Sequence, residues 1–489
     1  MLLTQFPFDG QGTRYEQLAR VLKRAIIEGH LSPGERLPAT RTLARTLGLS
    51  RNTVLTAYDI LRAEQLTVSS ERAGTQVAQF TLPAGITASP KPVEPQSRYA
   101  GRLRNLGPNP LETLPGPLRY DLYYSGPAAG LDLMRSWSRK LAAAGHGSGR
   151  RYPDPMGLPA LRRAIAEYLA RRRGVMCTEN DILIVGGTQQ AAALAARAVL
   201  NEGDTVVLED PQYHTLMQAF SAYGARIVNV RTDDQGIVTE ELSRHRARLI
   251  CVTPSHQFPS GVILNLERRL ELLDIASKQG SWILEDDYDS EFQYRGRPLA
   301  ALRSLDFAGR VIYVGTFSKT LFPSLRLGFM VCPAGLRDDL RNAKRLEDRG
   351  APSAEQAALA ILLRSRQFER SLGRTLSELN QRRTALLEGL RQHLGKRAEV
   401  IDTQAGVHLA VWLNDISYAE LDRLLQLALR RGLGLYPIHP HYHRPPPRPG
   451  LLLGYARLTA ESLRQACALL GECMDELERE RSRGRRVRA

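Results

Sequence analysis

The sequence predicts two folded bodies: an N-terminal winged helix-turn-helix and a C-terminal α/β domain with a mainly parallel sheet. Its 489 residues exceed what one ordinary core holds. Residues 14–63 carry three short segments of helical apolar periodicity, whereas beyond Tyr120 continuous apolar runs alternate with helical ones. Between the two, residues 79–118 lose periodicity and gain Pro, Ser and Gly, with Pro92 and Pro95 stiffening what reads as a tether. The expected division is 1–78, a linker over 79–118, a large domain over 119–478, and an arginine-rich tail over 479–489.

Composition narrows the class. Apolar residues make up 43% of the chain, enough for a large core. The five cysteines (Cys177, Cys251, Cys332, Cys467, Cys473) are scattered and form no Cys-x-x-Cys, which fits a reducing cytoplasm and argues against a disulfide framework or a zinc site. The start, Met1-Leu-Leu-Thr-Gln-Phe-Pro-Phe-Asp9, lacks the basic and apolar regions of a signal peptide, and no apolar run approaches a membrane span. A cytoplasmic location is expected. The net charge of +16 suits a polyanion partner, although part of it crowds into Arg479, Arg481, Arg483, Arg485, Arg486 and Arg488, which read as a solvated end.

From Arg14 to Glu28, Leu18, Val21, Leu22, Ala25 and Ile26 recur at helical spacing until Gly29. A second helix follows Thr40 with Leu43, Ala44 and Leu47 inward, and Gly48-Leu-Ser50 makes a tight turn with Ser50 as N-cap of a third helix through Ala63. Two short helices about such a turn are the helix-turn-helix pattern, and Arg51-Asn52-Thr53 stand where a recognition helix presents its first turn to the major groove. Leu66-Thr-Val-Ser-Ser and Thr75-Gln-Val-Ala then flank Glu71-Arg72-Ala-Gly74 as a hairpin with Arg72 near its tip. A three-helix protein-interaction module is the alternative.

The stretches "Gly29-His-Leu-Ser-Pro-Gly-Glu-Arg-Leu-Pro38", "Leu47-Gly-Leu-Ser-Arg-Asn-Thr-Val54", "Ala57-Tyr58" and "Gly74-Thr75" resemble the winged-helix domain of GntR-type bacterial regulators. The resemblance implies binding to double-stranded DNA, with Arg41, Arg45, Ser50, Arg51, Thr53 and Tyr58 as phosphate or base contacts, beside Asn52 and Arg72.

In the large domain, Asp181–Val185, Thr205–Leu208, Arg248–Val252, Trp282–Leu284 and Val311–Val314 read as strands buried on both faces, the mark of a parallel sheet. Ligand sites in such sheets lie beyond the carboxyl ends of the strands. After Val185, Gly186-Gly187-Thr188-Gln189 opens an alanine-rich helix whose amides can cup a phosphate. After Leu208, Glu209-Asp-Pro-Gln-Tyr213 offers an aromatic ring to stack on a cofactor, or simply a core tyrosine. After Val252, the Thr253–Gly261 loop offers His256 and Gln257. After Leu284 comes Glu285-Asp286-Asp287-Tyr288-Asp289.

The last run leads into Tyr313-Val-Gly-Thr316-Phe-Ser318-Lys319, with Arg326 seven residues on. Burial and the Arg326 charge are both expected to disfavour the ammonium form of Lys319, as an amine attacking an aldehyde requires. Arg326 with the hydroxyls of Thr316 and Ser318 suits a phosphate. Lysine, phosphate site and small residues together suggest pyridoxal 5'-phosphate. A fixed carboxylate can keep its ring nitrogen protonated, a role that suits Asp286, and Tyr288 is placed as a phenol near the ring. A magnesium site in the acidic stretch is disfavoured by the nearby cations, and no metal is expected.

These motifs, in order, resemble the fold type I aminotransferases, and that resemblance implies a Schiff base at Lys319. It implies phosphate contacts from Gly187, Thr188, Gln189, Thr316, Ser318 and Arg326, and Tyr213 against the ring. In Arg151-Tyr152-Pro-Asp-Pro-Met-Gly157 it assigns Tyr152 to the neighbouring subunit's phosphate, hence a homodimer. The whole chain resembles the MocR/GabR type of transcriptional regulator, a resemblance that "Thr-Pro-Ser-His-Gln-Phe-Pro-Ser-Gly" and "Glu-Asp-Asp-Tyr-Asp-Ser-Glu-Phe" sharpen. The expected function is a sensor of an amine, an amino acid or the cofactor itself, coupled to DNA binding. The rival is a working aminotransferase that carries a DNA module. Such enzymes clamp a substrate carboxylate with an arginine near the C-terminus, but Leu451–Leu453 occupy that strand, and Arg444, Arg448 and Arg457 stand only nearby. His439, His441 and His443 in the same region have the alternate spacing of a metal site, but Pro440 and the prolines that follow favour an effector loop or plain surface.

Overall fold

The computed structural model describes residues 8–70, 74–80, 97–107, 114, 116–126, 130–145, 152–296 and 299–488. The chain forms two compact units, divided after Gln96. Arg72 and most of the expected linker, Pro92 and Pro95 included, lie outside the described residues.

The first unit holds helices Arg14–Ile27, Thr40–Leu47 and Arg51–Ala63, followed by an antiparallel hairpin of Thr67–Ser70 with Gly74–Val77. Each boundary has a local cause. The Thr13 N–H donates to the Glu16 carboxylate at 2.7 Å, closing the start of the first helix. The second helix ends at Gly48 (φ +66°), a left-handed conformation that a side chain would strain. The third starts from Ser50, whose hydroxyl accepts from the Thr53 N–H at 3.0 Å. Leu18, Leu22, Ile26, Leu43, Val54 and Leu61 converge in one core that Val77 of the hairpin closes.

The second unit is built on an eight-stranded sheet. Its strand order is Ile182–Val185, Gly328–Val331, Val311–Thr316, Trp282–Asp287, Leu249–Val252, Thr205–Asp210, Arg226–Asp233 and Gly236–Ile237. The four pairings from Val311–Thr316 through to Arg226–Asp233 are parallel. Gly328–Val331 runs antiparallel to both its neighbours, and Gly236–Ile237 is an antiparallel edge. Every apolar run marked in the sequence is a strand, and Ile182–Val185 and Leu249–Val252 are buried at each residue because helices cover both faces.

A second, antiparallel sheet joins Ala398–Ile401, His408–Leu413, Gly450–Gly454 and Tyr436–Pro437. Leu379, Leu386, Leu463 and Leu470 of the helices Arg366–His393 and Ala460–Arg488 share one core with Val411, Leu451 and Leu453 of this sheet.

Two stretches depart from their compositional reading. Part of the expected linker forms a helix, Arg98–Arg104, started by the Ser97 hydroxyl, which accepts from the Ala100 N–H at 3.0 Å. The arginine-rich end continues the helix Ala460–Arg488. Its glutamates supply the reason: Arg423 reaches Glu480 at 2.6 Å, while Arg481 donates to the Asp415 carbonyl at 2.9 Å. All five cysteines are free, and no described helix is long and apolar enough to cross a membrane.

Candidate cofactor site and nucleic-acid interface

The carboxyl ends of the parallel strands open onto a cavity of about 190 Å³. Of the residues expected to hold a cofactor, Gly187, Thr188, Gln189, Tyr213, Asp286, Tyr288, Thr316, Ser318, Lys319 and Arg326 all line it. Tyr152 does not. Its side chain is 78% exposed and lies under the Arg349 guanidinium, 5.0 Å from the ring centre.

One end of the cavity is built for an anion. Gly187 (φ +107°) caps the helix Thr188–Val199 beside the Arg326 guanidinium, in a backbone conformation that a side chain would strain. The Gln190 and Ala191 N–H groups already donate to the Gly187 carbonyl, which leaves the amides of Thr188 and Gln189 at the open end of the helix dipole. Thr316 donates to Ser318 at 3.0 Å, holding both hydroxyls at the end of the strand. Arg326 itself adopts a left-handed conformation (φ +51°), unusual for a side-chain-bearing residue and common at ligand sites.

The Lys319 amine donates to the Ser125 hydroxyl at 2.8 Å. Burial pulls its pKa down to about 8, against the opposing pull of the Asp289 and Asp286 carboxylates. The direction and the part expected of burial match the sequence reading; the charges that act on the amine are negative, and the Arg326 contribution expected beside burial does not appear. Asp286 is 6% exposed, accepts from the Thr188 hydroxyl at 3.0 Å, and is pushed up to about 7 by burial. A cationic ring nitrogen beside it would offset that penalty.

Behind these residues stand two buried supports. Arg173 donates to Asp287 at 2.7 Å, with both side chains nearly inaccessible. His256 meets Tyr288 at 3.0 Å and Asp289 at 2.9 Å through Nδ1, so it orients the Tyr288 phenol and does not line the cavity. Gln257 is spent internally, donating to the carbonyls of Pro211 and Phe258.

The remaining wall is Tyr124, Ser125, Phe258, Pro323 and His408, none of which the sequence singled out as a site residue. Tyr124 and Ser125 follow no apolar run, and His408 opens a strand of the second sheet; Phe258 and Pro323 sat in stretches already marked. Gly454 brings them here, because the Tyr123 carbonyl occupies the space its side chain would need. The histidine loop also contributes: His441 is buried with its ring 5.0 Å from that of Phe258.

The donor set fits pyridoxal phosphate. Helix amides, two hydroxyls and a guanidinium meet an anion, Asp286 forms the floor, and a partly neutral lysine faces them.

In the first unit, Arg41, Arg45, Arg51 and Asn52 are exposed, on the second helix and the first turn of the third. Among the described residues no carboxylate pairs with Arg41, Arg45 or Arg51, whereas Arg20, Lys23, Arg24 and Arg62 are each neutralised by a neighbour. Ser50 and Thr53 share a 2.8 Å hydroxyl contact at the N-cap. Tyr58 corrects its expected role. It is 4% exposed and donates to the Pro38 carbonyl at 2.7 Å, so it ties the connector to the third helix from inside the core.

Residues 14–77 match the gntR family of bacterial regulatory proteins, and residues 124–470 match aminotransferase class I and II. The chain is 35% identical, over 96% of its length and 95% of the relative's, to a probable rhizopine catabolism regulatory protein, MocR, of Rhizobium meliloti. It is 32% identical, over 78% of its length and 80% of the relative's, to the regulator TauR of Rhodobacter capsulatus. Among solved structures it resembles LysN, an α-aminoadipate aminotransferase of Thermus thermophilus complexed with N-(5'-phosphopyridoxyl)-L-leucine. The TM-score is 0.69 and the identity 27%, over 78% of this chain and 97% of that one. With its DNA-reading unit and its pyridoxal phosphate site in one chain, this protein belongs to the MocR-type transcriptional regulators, which join a gntR-family module to an aminotransferase class I and II domain.

Proposed function

We propose that the large domain senses an amine, an amino acid or pyridoxal phosphate itself at Lys319, and that the segment entering the domain carries the ligand state towards the DNA-binding unit. The carrying observation is the 2.8 Å bond from Lys319 to Ser125. Ser125 ends the segment that begins at Ser97, directly after the first unit. Along that segment, Leu114 and Tyr124 pack with Phe258, Tyr436 and Tyr213 in the cluster that walls the cavity. Farther back, Tyr99 meets the Tyr223 ring at 5.4 Å and Arg102 donates to the Ala222 carbonyl at 2.9 Å, both at the end of the helix that starts after Tyr213. One end of the segment therefore reaches the site itself, and the other rests on the far end of the helix that leads away from Tyr213.

Pyridoxal phosphate, when bound, supplies an aldehyde that takes an amine and a ring that draws off electrons. The chain's own residues do the rest. Arg326, Thr316, Ser318 and the helix amides would hold the phosphate, Tyr213 would pack against the ring, and Asp286 would hold a proton at the ring nitrogen. Lys319 gives up its bond to Ser125 when its amine is engaged. A ligand moves the DNA unit only as far as its affinity differs between the two states.

Tyr152, outside its own cavity, is assigned to the phosphate end of the partner subunit's site, which makes the working form a homodimer with two half-sites to read. Arg41, Arg45, Arg51, Asn52, Ser50 and Thr53 form the operator-facing set, in the cytoplasm where the DNA is. An active aminotransferase is the second reading, supported by the complete set of Lys319, Asp286 and Arg326.

The test is a visible spectrum and a gel shift on the DNA upstream of the protein's own gene, with wild type and Lys319→Ala. A lysine-dependent band that an amine shifts together with operator affinity, without transfer to a keto acid, is the expected result. Rapid transfer would favour the enzyme, and a shifted band with unchanged DNA affinity would refute the coupling.

A further inference from the structure

The two ends of the cavity differ in chemistry. Tyr124, Phe258 and His408 form the aromatic end of the lining, their ring centres 6.0, 6.4 and 5.7 Å apart, backed by Tyr436, Leu452 and His441. Burial drives His441 down to about 3 and His408 well below its ordinary value, so both imidazoles are neutral at physiological pH. The charges acting on the Lys319 amine are the carboxylates of Asp289 and Asp286.

The arginines that sequence position left open as a carboxylate clamp are committed elsewhere. Arg448 lies over the Trp412 ring at 5.5 Å and pairs with Glu399 at 2.6 Å. Arg457 pairs with Asp121 at 2.8 Å, and Arg444 is exposed and outside the cavity. Among the described residues, Arg326 is the only guanidinium lining the cavity, and it belongs to the phosphate end.

A carboxylate moved to the aromatic end loses its hydration and meets no counter-charge among the described residues, a combination that penalises binding strongly. The amino group, which both ligand classes carry, faces the Asp289 and Asp286 carboxylates that act on Lys319, so the carboxylate alone separates the two classes. The Tyr124 hydroxyl, buried and without a partner among the described residues, offers one hydrogen bond to an uncharged acceptor.

We infer that the effector of this site is a primary amine that carries no carboxylate, with its body seated against Tyr124, Phe258 and His408. The inference rests on the sensor reading above and narrows it to one class of ligand.

The experiment titrates the full-length, pyridoxal phosphate-loaded protein with amines and their parent amino acids: tyramine and tyrosine, phenethylamine and phenylalanine, histamine and histidine. Apparent Kd is read from the visible band and, separately, from calorimetry. At least one amine is expected to bind tenfold or more tightly than its amino acid. Equal or tighter binding of the amino acid in every pair would overturn the inference while leaving the sensor intact, and so would the absence of binding by every compound. A protein that shows no band with added pyridoxal phosphate would defeat the sensor reading itself. As a second arm, H408R places a guanidinium at the aromatic end and should shift the preference at least tenfold towards the amino acid. An unchanged ratio in an H408R protein that keeps its band would show that the body of the ligand sits elsewhere.

Discussion

Lys319 and Ser125 stand 194 residues apart in sequence, and the lysine amine donates to the serine hydroxyl at 2.8 Å. One partner sits at the end of a central strand of the large sheet, the other at the end of the segment that leads in from the DNA-binding unit. Chemistry at the amine thus has a direct neighbour in the chain's own connector.

Burial lowers the Lys319 pKa from 10.5 to about 8, so the neutral amine becomes the majority form above that pH. Attachment of added pyridoxal phosphate to the apo protein should accelerate about tenfold per pH unit below 8 and level off above it. Between pH 8 and 10.5 the unfolded chain still binds the proton that the folded one has lost, so apo stability should rise with pH across that window. Urea melts of wild type and Lys319→Met check this, and the methionine variant should lose the slope.

Replacing Asp286 by Asn removes the charge from the floor of the site and keeps its shape. Loss of a hydrogen bond to a charged group, about 1.5–3 kcal/mol, should weaken pyridoxal phosphate roughly tenfold to a hundredfold. Absorbance titration measures it, with urea melts to separate a binding defect from a folding one.

Arg173 and Asp287 form an ion pair in which neither side chain exceeds 4% exposure. Arg173→Met leaves the Asp287 carboxylate buried without its cation and should cost about 3–5 kcal/mol of stability. A loss below about 1 kcal/mol in urea unfolding would mean that Tyr313, which also donates to Asp287, suffices.

Arg51→Ala should weaken operator binding by about 1–3 kcal/mol and relax preference at one base position, as a base contact does. Arg41→Ala should weaken all sequences alike and reduce the salt slope by about one. Tyr58→Phe should leave the DNA contacts intact and destabilise the unit by about 0.5–1.5 kcal/mol, through the lost bond to Pro38. Anisotropy titrations at several salt concentrations distinguish the three.

The connector helix offers a separate test of coupling. Replacing Tyr99 and Arg102 by Ala removes its ring contact and its hydrogen bond to Ala222 without touching the cavity. A coupling free energy of typically about 1–3 kcal/mol between two sites should fall towards zero, with the band of the loaded protein unchanged. An effector response equal to wild type would place the coupling elsewhere.

By itself the sequence determined the two-unit plan, the three helices and hairpin of the first unit, and the five apolar strands whose ends carry Gly187, Tyr213, Asp286 and Lys319. These are local signals: caps at Ser50 and Gly48, 3.6-residue periodicity, and β-branched runs too apolar to lie anywhere but inside a sheet. Tertiary structure decided what local patterns do not encode. Tyr58, which the family resemblance assigned to DNA, is held inside instead, where its hydroxyl donates to the Pro38 carbonyl of the connector. Ser125 and His408 lie in stretches with no site signature; Gly454 lets the entering segment that carries Ser125 pass tightly against the second sheet, whose strand His408–Leu413 brings His408 to the same cavity. The fates of Arg448 and Arg457 depended on which carboxylate each met, and Glu399 and Asp121 are distant in sequence. Charge pairing and burial are properties of the folded neighbourhood, so the lining of the aromatic end, and with it the class of ligand the site accepts, was set only when the chain came together.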